Sequence, residues 1–230
     1  MLTLILAESA LETIPKQLWK HPVIQRYAEQ HKKTPRFTIL DRSYHHQAMK
    51  LLKTNEKRGR PDIVHFALLE ALGSPLNKEK CLTIFVHTIN DDVLSIEPQT
   101  RLPRNCNRFV SLMEQLFEFK RIPPESERPL LTLRRQNIVE LIQDVKPSFI
   151  LALSRVGKPK TIEETAARLA KEKRPILLVG GFPHGHLSKT TTRLANETIC
   201  IDREMLESWT VVSRMIYEFE RAISLPKKRL

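Results

Sequence analysis

Arg58, Arg60 and Asp62 crowd the opening of KRGRPDIVHFALLEALGSP (residues 57–75), and Arg101, Arg104 and Arg108 crowd TRLPRNCNRFVSLMEQL (residues 100–116). Pro61 and Pro103 each suit the first position of a helix, which places both arginine sets at helix starts. Arg104 and Arg108, four residues apart, are expected to share a helical face. Guanidinium groups oppose the helix macrodipole there, so the arrangement gains from a bound anion. A phosphate would satisfy the arginines and the free N–H groups together. Solvated arginines would explain either set alone; two sets together suggest a nucleic-acid backbone held at several points, which carries no base information. Asp62 can orient Arg60 by a charge-assisted hydrogen bond or act as a general base. A carboxylate beside arginines in a helix's first turn is the poorer base, so the orienting role is preferred.

A second chemical feature is the turn VGGFPHGH (residues 179–186), which holds Gly180, Gly181 and Gly185, half of the six glycines, directly after the apolar PILLV. A glycine turn at the carboxyl end of a parallel strand is where open α/β sheets bind small ligands. The spacing is neither that of a dinucleotide fingerprint nor that of a P-loop, which disfavours a dinucleotide or a nucleoside triphosphate. His184 and His186 have no cysteine pair or carboxylate in support and read as loop histidines, so no metal site is expected. His45 and His46 are adjacent and cannot share a metal from a regular helix; they read as structural or close to RNA.

These residues need elements to hold them. At 230 residues the chain is long enough for one sizeable core. Its 38 Lys and Arg against 26 Asp and Glu leave a net charge of +12, which points to a polyanionic partner. Three dispersed cysteines, Cys81, Cys106 and Cys200, argue against a disulfide framework and for a reducing, cytoplasmic setting. The opening MLTLILAES reads as a core strand and not a signal peptide, and no stretch is apolar enough for a membrane span. Short apolar runs predict strands over 2–7, 36–40, 147–153 and 175–181, alternating with helices over 45–53, 61–72, 104–119, 136–144, 161–172 and 205–222. CLTIFVHT and DVLSIEP are separated only by residues 89–91 and predict an antiparallel hairpin. Residues 120–129, rich in proline, read as a surface connection. The expected architecture is one α/β domain over 1–230 with a mostly parallel sheet and a basic, RNA-binding elaboration around 42–120.

Taken together, DRSYHHQAM (41–49), KRGRPDIVHFALLEALGSPLN (57–77), TRLPRNCNRFVSLMEQL (100–116) and GGFPHGH (180–186) resemble the nucleolar essential protein family, also called the essential-for-mitotic-growth family, in its archaeal branch. Its members are SPOUT-class RNA methyltransferases of small ribosomal subunit biogenesis. The resemblance implies a SPOUT (alpha/beta knot) fold with a C-terminal trefoil knot, a homodimer, S-adenosylmethionine as methyl donor and S-adenosylhomocysteine as product. It implies as acceptor the N1 nitrogen of a pseudouridine in a small-subunit rRNA hairpin loop, with ribosomal proteins or assembly factors as further partners. By the same resemblance Arg60, Arg101, Arg104 and Arg108 match rRNA-contacting arginines, and Asp62 matches the carboxylate that steadies the first. Gly180 and Gly185, with Gly181 beside them, match one cofactor loop. Ile199, Cys200, Ile201 and Met205 match a second, and Leu153 lines the same pocket. His186 stands where Asp is expected, Cys106 where an aromatic is usual, and ICIDREMLESWT (199–210) is only loosely similar to the family's loop.

The implied chemistry demands alignment of a protonated ring nitrogen with the methyl group, and a route for its proton. Arginine beside the base carbonyls would stabilise developing negative charge. Access to the base calls for flipping it out of a loop. The rival from another class is a non-catalytic rRNA-binding assembly factor with a vestigial pocket, and cofactor affinity separates the two. A third reading, modification of tRNA, is disfavoured by the RPD and RLPRN stretches.

Overall fold

In the computed structural model, which describes residues 1–229, the opening apolar run forms β1 (Leu2–Ser9) with every residue buried. Leu4 and Leu6 enter one core while Ile5 and Ala7 enter another, the period-two alternation of a strand covered on both faces. The chain then builds α1 (Pro22–His31), α2 (Arg42–Met49), α3 (Pro61–Gly73) and the short α4 (Pro75–Lys78) before β2 (Leu82–Thr88). β3 (Asp92–Ile96) turns back on β2 as the expected hairpin. There follow α5 (Cys106–Phe119), β4 (Arg121–Ile122), β5 (Leu131–Arg135), α6 (Ile138–Val145) and β6 (Phe149–Pro159). The last elements are α7 (Ile162–Ala170), β7 (Pro175–Gly180), α8 (Lys189–Leu194), β8 (Glu197–Cys200), α9 (Ser208–Ala222) and α10 (Leu225–Arg229).

One sheet contains all eight strands in the order β4-β5-β3-β2-β1-β7-β6-β8. β2, β1, β7, β6 and β8 run parallel, and β3, β5 and β4 are antiparallel. The larger core lies under α3, α5, α7 and α9, and the smaller under α6, as the buried Phe109, Ala166 and Val212 on one side and Leu141 and Ile142 on the other record. Phe66 of α3 meets Trp209 of α9 edge-on with ring centroids 5.2 Å apart. A satellite cluster of Ile14, Leu18, Ile24, Leu40, Ala48, Met49 and Leu52 packs below α1 and α2.

Several expectations need correction. Residues 36–40 are not a sheet strand: they make a single bridge, Thr13 to Ile39, next to a turn closed by Phe37 N on Thr34 O. Their apolar character serves as a plug, with Ile39 in the main core and Leu40 in the satellite. α2 starts at residue 42 because Asp41 caps it through Ser43 N, and it ends at Met49, short of residue 53. α5 starts at Cys106, because Asn105 is the cap that accepts from Arg108 N at 3.1 Å. α9 begins at Ser208 and not at residue 205. α1 was not expected; only Ile24 of its ten residues is buried, so it has few core-facing apolar residues to mark it. β5 and β8 are short, half-polar strands with the same deficit.

Candidate functional site

Arg60 occupies the N-cap position of α3, with Pro61 next in the helix. Its side chain caps nothing; it forks onto Asp62, Nε donating to Oδ1 at 2.8 Å and Nη2 to Oδ2 at 2.7 Å. The hydrogen-bonded carboxylate raises the guanidinium above its ordinary pKa, against a smaller opposing effect of burial. Both side chains stay about a third exposed, 35% and 29%, so the fork fixes the direction of the guanidinium and leaves its remaining N–H groups to solution.

Arg58, two residues earlier, does the reverse. Its Nε donates to Glu12 Oε1 at 2.7 Å, the side chains are 12% and 1% exposed, and Asn90 Nδ2 also donates to Glu12 at 2.7 Å. The expectation that Arg58 flanks a phosphate site is therefore corrected: its charge is spent inside. Gly59 makes the divergence possible. It has φ +67°, and a Cβ there would lie 2.7 Å from Met49 Cε.

Arg101, Arg104 and Arg108 are all exposed. Because α5 begins at Cys106, Arg104 precedes the helix and does not share a helical face with Arg108, as had been expected. The segment before α5 is instead pinned to α3. His65 is fully buried and stacks on Phe109 with centroids 4.4 Å apart. Burial holds it below its ordinary pKa, and its Nε2 donates to Pro103 O at 2.7 Å. Burial also pushes the Cys106 thiol up, with a contribution from the nearby Asp62 that records how close the two helix starts lie. His45 is structural: it is buried, burial brings it down to about 4, and its Nδ1 accepts from Asp41 N at 3.0 Å. His46 is exposed.

The glycine turn walls a cleft at the carboxyl end of β7, beside the middle of β6. Leu153, Gly180, Gly185, Cys200, Ile201 and Met205 all line it. Gly181 and Ile199 stand behind it, a correction to the expected lining. A Cβ on Gly181 would meet Ser9 Oγ at 2.1 Å; its N–H donates to Ala7 O in β1 and its C=O accepts from Ala10 N just beyond that strand. Ile199 is fully buried in β8.

Sequence reasoning missed Ser154, Arg155, Phe182, Asp202, Glu204 and Ser208, which also line the cleft. Leu153 and Lys158 both pair with Ile199, so residues 154–157 bulge out of β6 toward the opening. The available clue was Gly157, a glycine inside a strand, where a Cβ would fall 2.6 Å from the backbone of Ile199. Ser208 Oγ donates to Gly180 O at 2.7 Å and ties the start of α9 to the turn. Asp202 Oδ1 accepts from Glu204 N at 2.9 Å and orders the opposite rim. With the apolar Leu153, Val179 and Leu206 and the carboxylates Asp202 and Glu204 all in its lining, the cleft suits a flat apolar ring carrying a polar or cationic extension. The two regions are neighbours: α3, which Arg60 opens, packs through Phe66 on Trp209 of α9, whose first residue Ser208 lines the cleft.

Comparison with known proteins agrees with this geometry. The family model described as EMG1/NEP1 methyltransferase matches residues 4–220. The chain is 43% identical over 219 residues to the ribosomal RNA small subunit methyltransferase Nep1 of Pyrococcus furiosus, covering 95% of this chain and 96% of that protein. It is 42% identical to the Staphylothermus marinus Nep1, covering 97% of each chain. Among solved structures, that of Archaeoglobus fulgidus Nep1 bound to S-adenosylhomocysteine matches with a TM-score of 0.85 and 35% identity, over 96% of this chain and 98% of that one. A basic α/β chain with a glycine-walled cleft beside a forked arginine thus belongs to the EMG1/NEP1 methyltransferase family.

Proposed function

We propose that the protein transfers a methyl group from S-adenosylmethionine to the N1 nitrogen of a pseudouridine in a hairpin loop of small-subunit rRNA. It does so as a cytoplasmic homodimer with a trefoil knot in its C-terminal half. The observation that carries this reading is the Arg60–Asp62 fork, aimed yet open to solution, beside the rim of the cleft. S-adenosylmethionine supplies an electrophilic methyl group on a sulfonium centre. The cleft fits such a molecule: Leu153, Val179 and Leu206 offer an apolar wall for adenine, Gly180 and Gly185 leave main chain accessible, and Asp202 and Glu204 favour hydroxyl and cationic groups.

N1 of pseudouridine carries a proton, so methylation builds negative charge on the ring carbonyls as that proton leaves. A fixed guanidinium stabilises this charge without reorganising at the moment of reaction, which is the role assigned to Arg60. Both oxygens of Asp62 are engaged by Arg60, which suits it to aiming and not to accepting the proton. Arg101, Arg104 and Arg108 hold the phosphates that flank the flipped base.

The test is transfer of labelled methyl to a short rRNA hairpin made with uridine or pseudouridine at the loop target. Label in the pseudouridine hairpin alone is expected. Absence of label in both, with tight RNA binding retained, would replace the enzyme by an assembly factor.

A further inference from the structure

Behind the glycine turn lies a charged cluster that the proposed reaction does not use. Lys57 comes from the same turn as Arg60, and its side chain, 15% exposed, crosses to the end of β1. Its Nζ sits 3.0 Å from Glu8 Oε2, donates to His186 O, and lies 4.1 Å above the centroid of the Phe182 ring. An ammonium group has three donors, and here a carboxylate, a carbonyl and an aromatic face receive it. Glu8 uses its other oxygen, Oε1, to accept from Ser188 N and from Thr191 Oγ1, both at 2.7 Å. One carboxylate therefore grips the far end of the glycine segment while its lysine grips the near end. Glu8 is 11% exposed at its side chain and adopts φ +52°, a left-handed conformation uncommon for a glutamate. Such a conformation persists where the surroundings over-determine it, and it clusters at sites of function.

The segment that is gripped has no other backbone anchorage. Residues 182–187 make no backbone-to-backbone hydrogen bond among the described residues. Phe182, Gly185, His186 and Leu187 nevertheless line the cleft. Gly185, at φ +95°, would place a Cβ 3.1 Å from Lys57 Cε, so its bare backbone also makes room for the lysine.

We propose that Lys57, with Glu8 as its buried counter-charge, is a positioning residue that holds the segment 182–188 in the shape that binds the methyl donor. The proposal rests on the methyltransferase reading of the cleft. It makes Lys57 a second functional group on the turn that presents Arg60, facing inward where Arg60 faces out.

The experiment compares the full chain with its Lys57→Met variant, which keeps the aliphatic stem. S-adenosylhomocysteine binding by calorimetry is expected to weaken about tenfold, the equivalent of one charge-assisted hydrogen bond, while hairpin RNA affinity stays within about twofold. KM for S-adenosylmethionine rises and kcat at saturation is retained. In the free protein, NMR order parameters for residues 182–187 fall from the rigid range near 0.85 toward about 0.6. Glu8→Gln, which keeps acceptors for Ser188 and Thr191 but removes the counter-charge, should reproduce the loss if Lys57→Met fails to fold. Unchanged S-adenosylhomocysteine affinity and unchanged order parameters in a folded variant would overturn the positioning role. Failure of the parent protein to bind S-adenosylhomocysteine would overturn the cofactor reading instead, and the order parameters would still decide whether Lys57 holds the segment.

Discussion

At the start of α3 a guanidinium is aimed by another side chain, Asp62, whereas at the end of β7 the cleft is shaped by main chain left bare at Gly180 and Gly185. The first region hangs on exposed groups at helix starts; the second is continuous with the sheet, through Gly181 and the buried end of β1. The arginine face can therefore be altered one residue at a time with the fold intact. The cleft changes only together with the packing behind it. Arg58 and Arg60 sharpen the contrast, because identical side chains two residues apart serve the core and the surface respectively.

The largest expected effect comes from treating Arg58 as if it were a surface residue. Glu12→Ala would leave the half-buried Arg58 guanidinium without its carboxylate and should cost about 3 kcal/mol in denaturant unfolding. Acid should act next. His45 is buried neutral with its pKa brought down to about 4 from 6.5, so the unfolded chain binds the proton first and stability falls as pH drops through that interval. The loss approaches roughly 3 kcal/mol at most, and a His45→Gln variant should flatten the pH dependence of unfolding there. In the cleft, Gly181→Ala drives a Cβ into Ser9 and should cost about 2 kcal/mol, with a parallel loss of S-adenosylhomocysteine affinity that calorimetry reads. Asp62→Asn is expected to separate the regions: methyl transfer falls about tenfold while stability and S-adenosylhomocysteine affinity hold. Smallest of all, Arg104→Ala should weaken hairpin binding modestly and lower the slope of log affinity against log salt by about one.

Much of this was written in local pattern. The strands β1 and β7 and the first half of β6 announce themselves as continuous apolar runs, while β6 runs on past the expected residue 153 to Pro159 through a polar stretch, and Pro61 after Arg60 marks the start of α3 where the structure has it. The hairpin of β2 and β3 follows from the brevity of its loop. What stayed hidden depends on distant partners. Glu12 claims Arg58 from 46 positions away, and His65 uses the carbonyl of Pro103, so a proline that reads as a first helical residue belongs to a pinned loop. Glu8 is invisible for a related reason: at the end of an apolar strand it reads as the residue where the strand stops, and its partners come from residues 57, 188 and 191. The bulge at 154–157 needed the pairing with β8, a strand of only four residues that leaves little periodicity to detect.

The measurement that bears most directly on a two-part site is labelled-methyl transfer by Arg60→Ala on the pseudouridine hairpin, with S-adenosylhomocysteine affinity taken on the same preparation. The expected result is cofactor affinity equal to that of the parent protein with methyl transfer reduced at least about tenfold. Transfer at the parent rate would contradict the assignment of Arg60 to the reaction and leave the fork a feature of the surface.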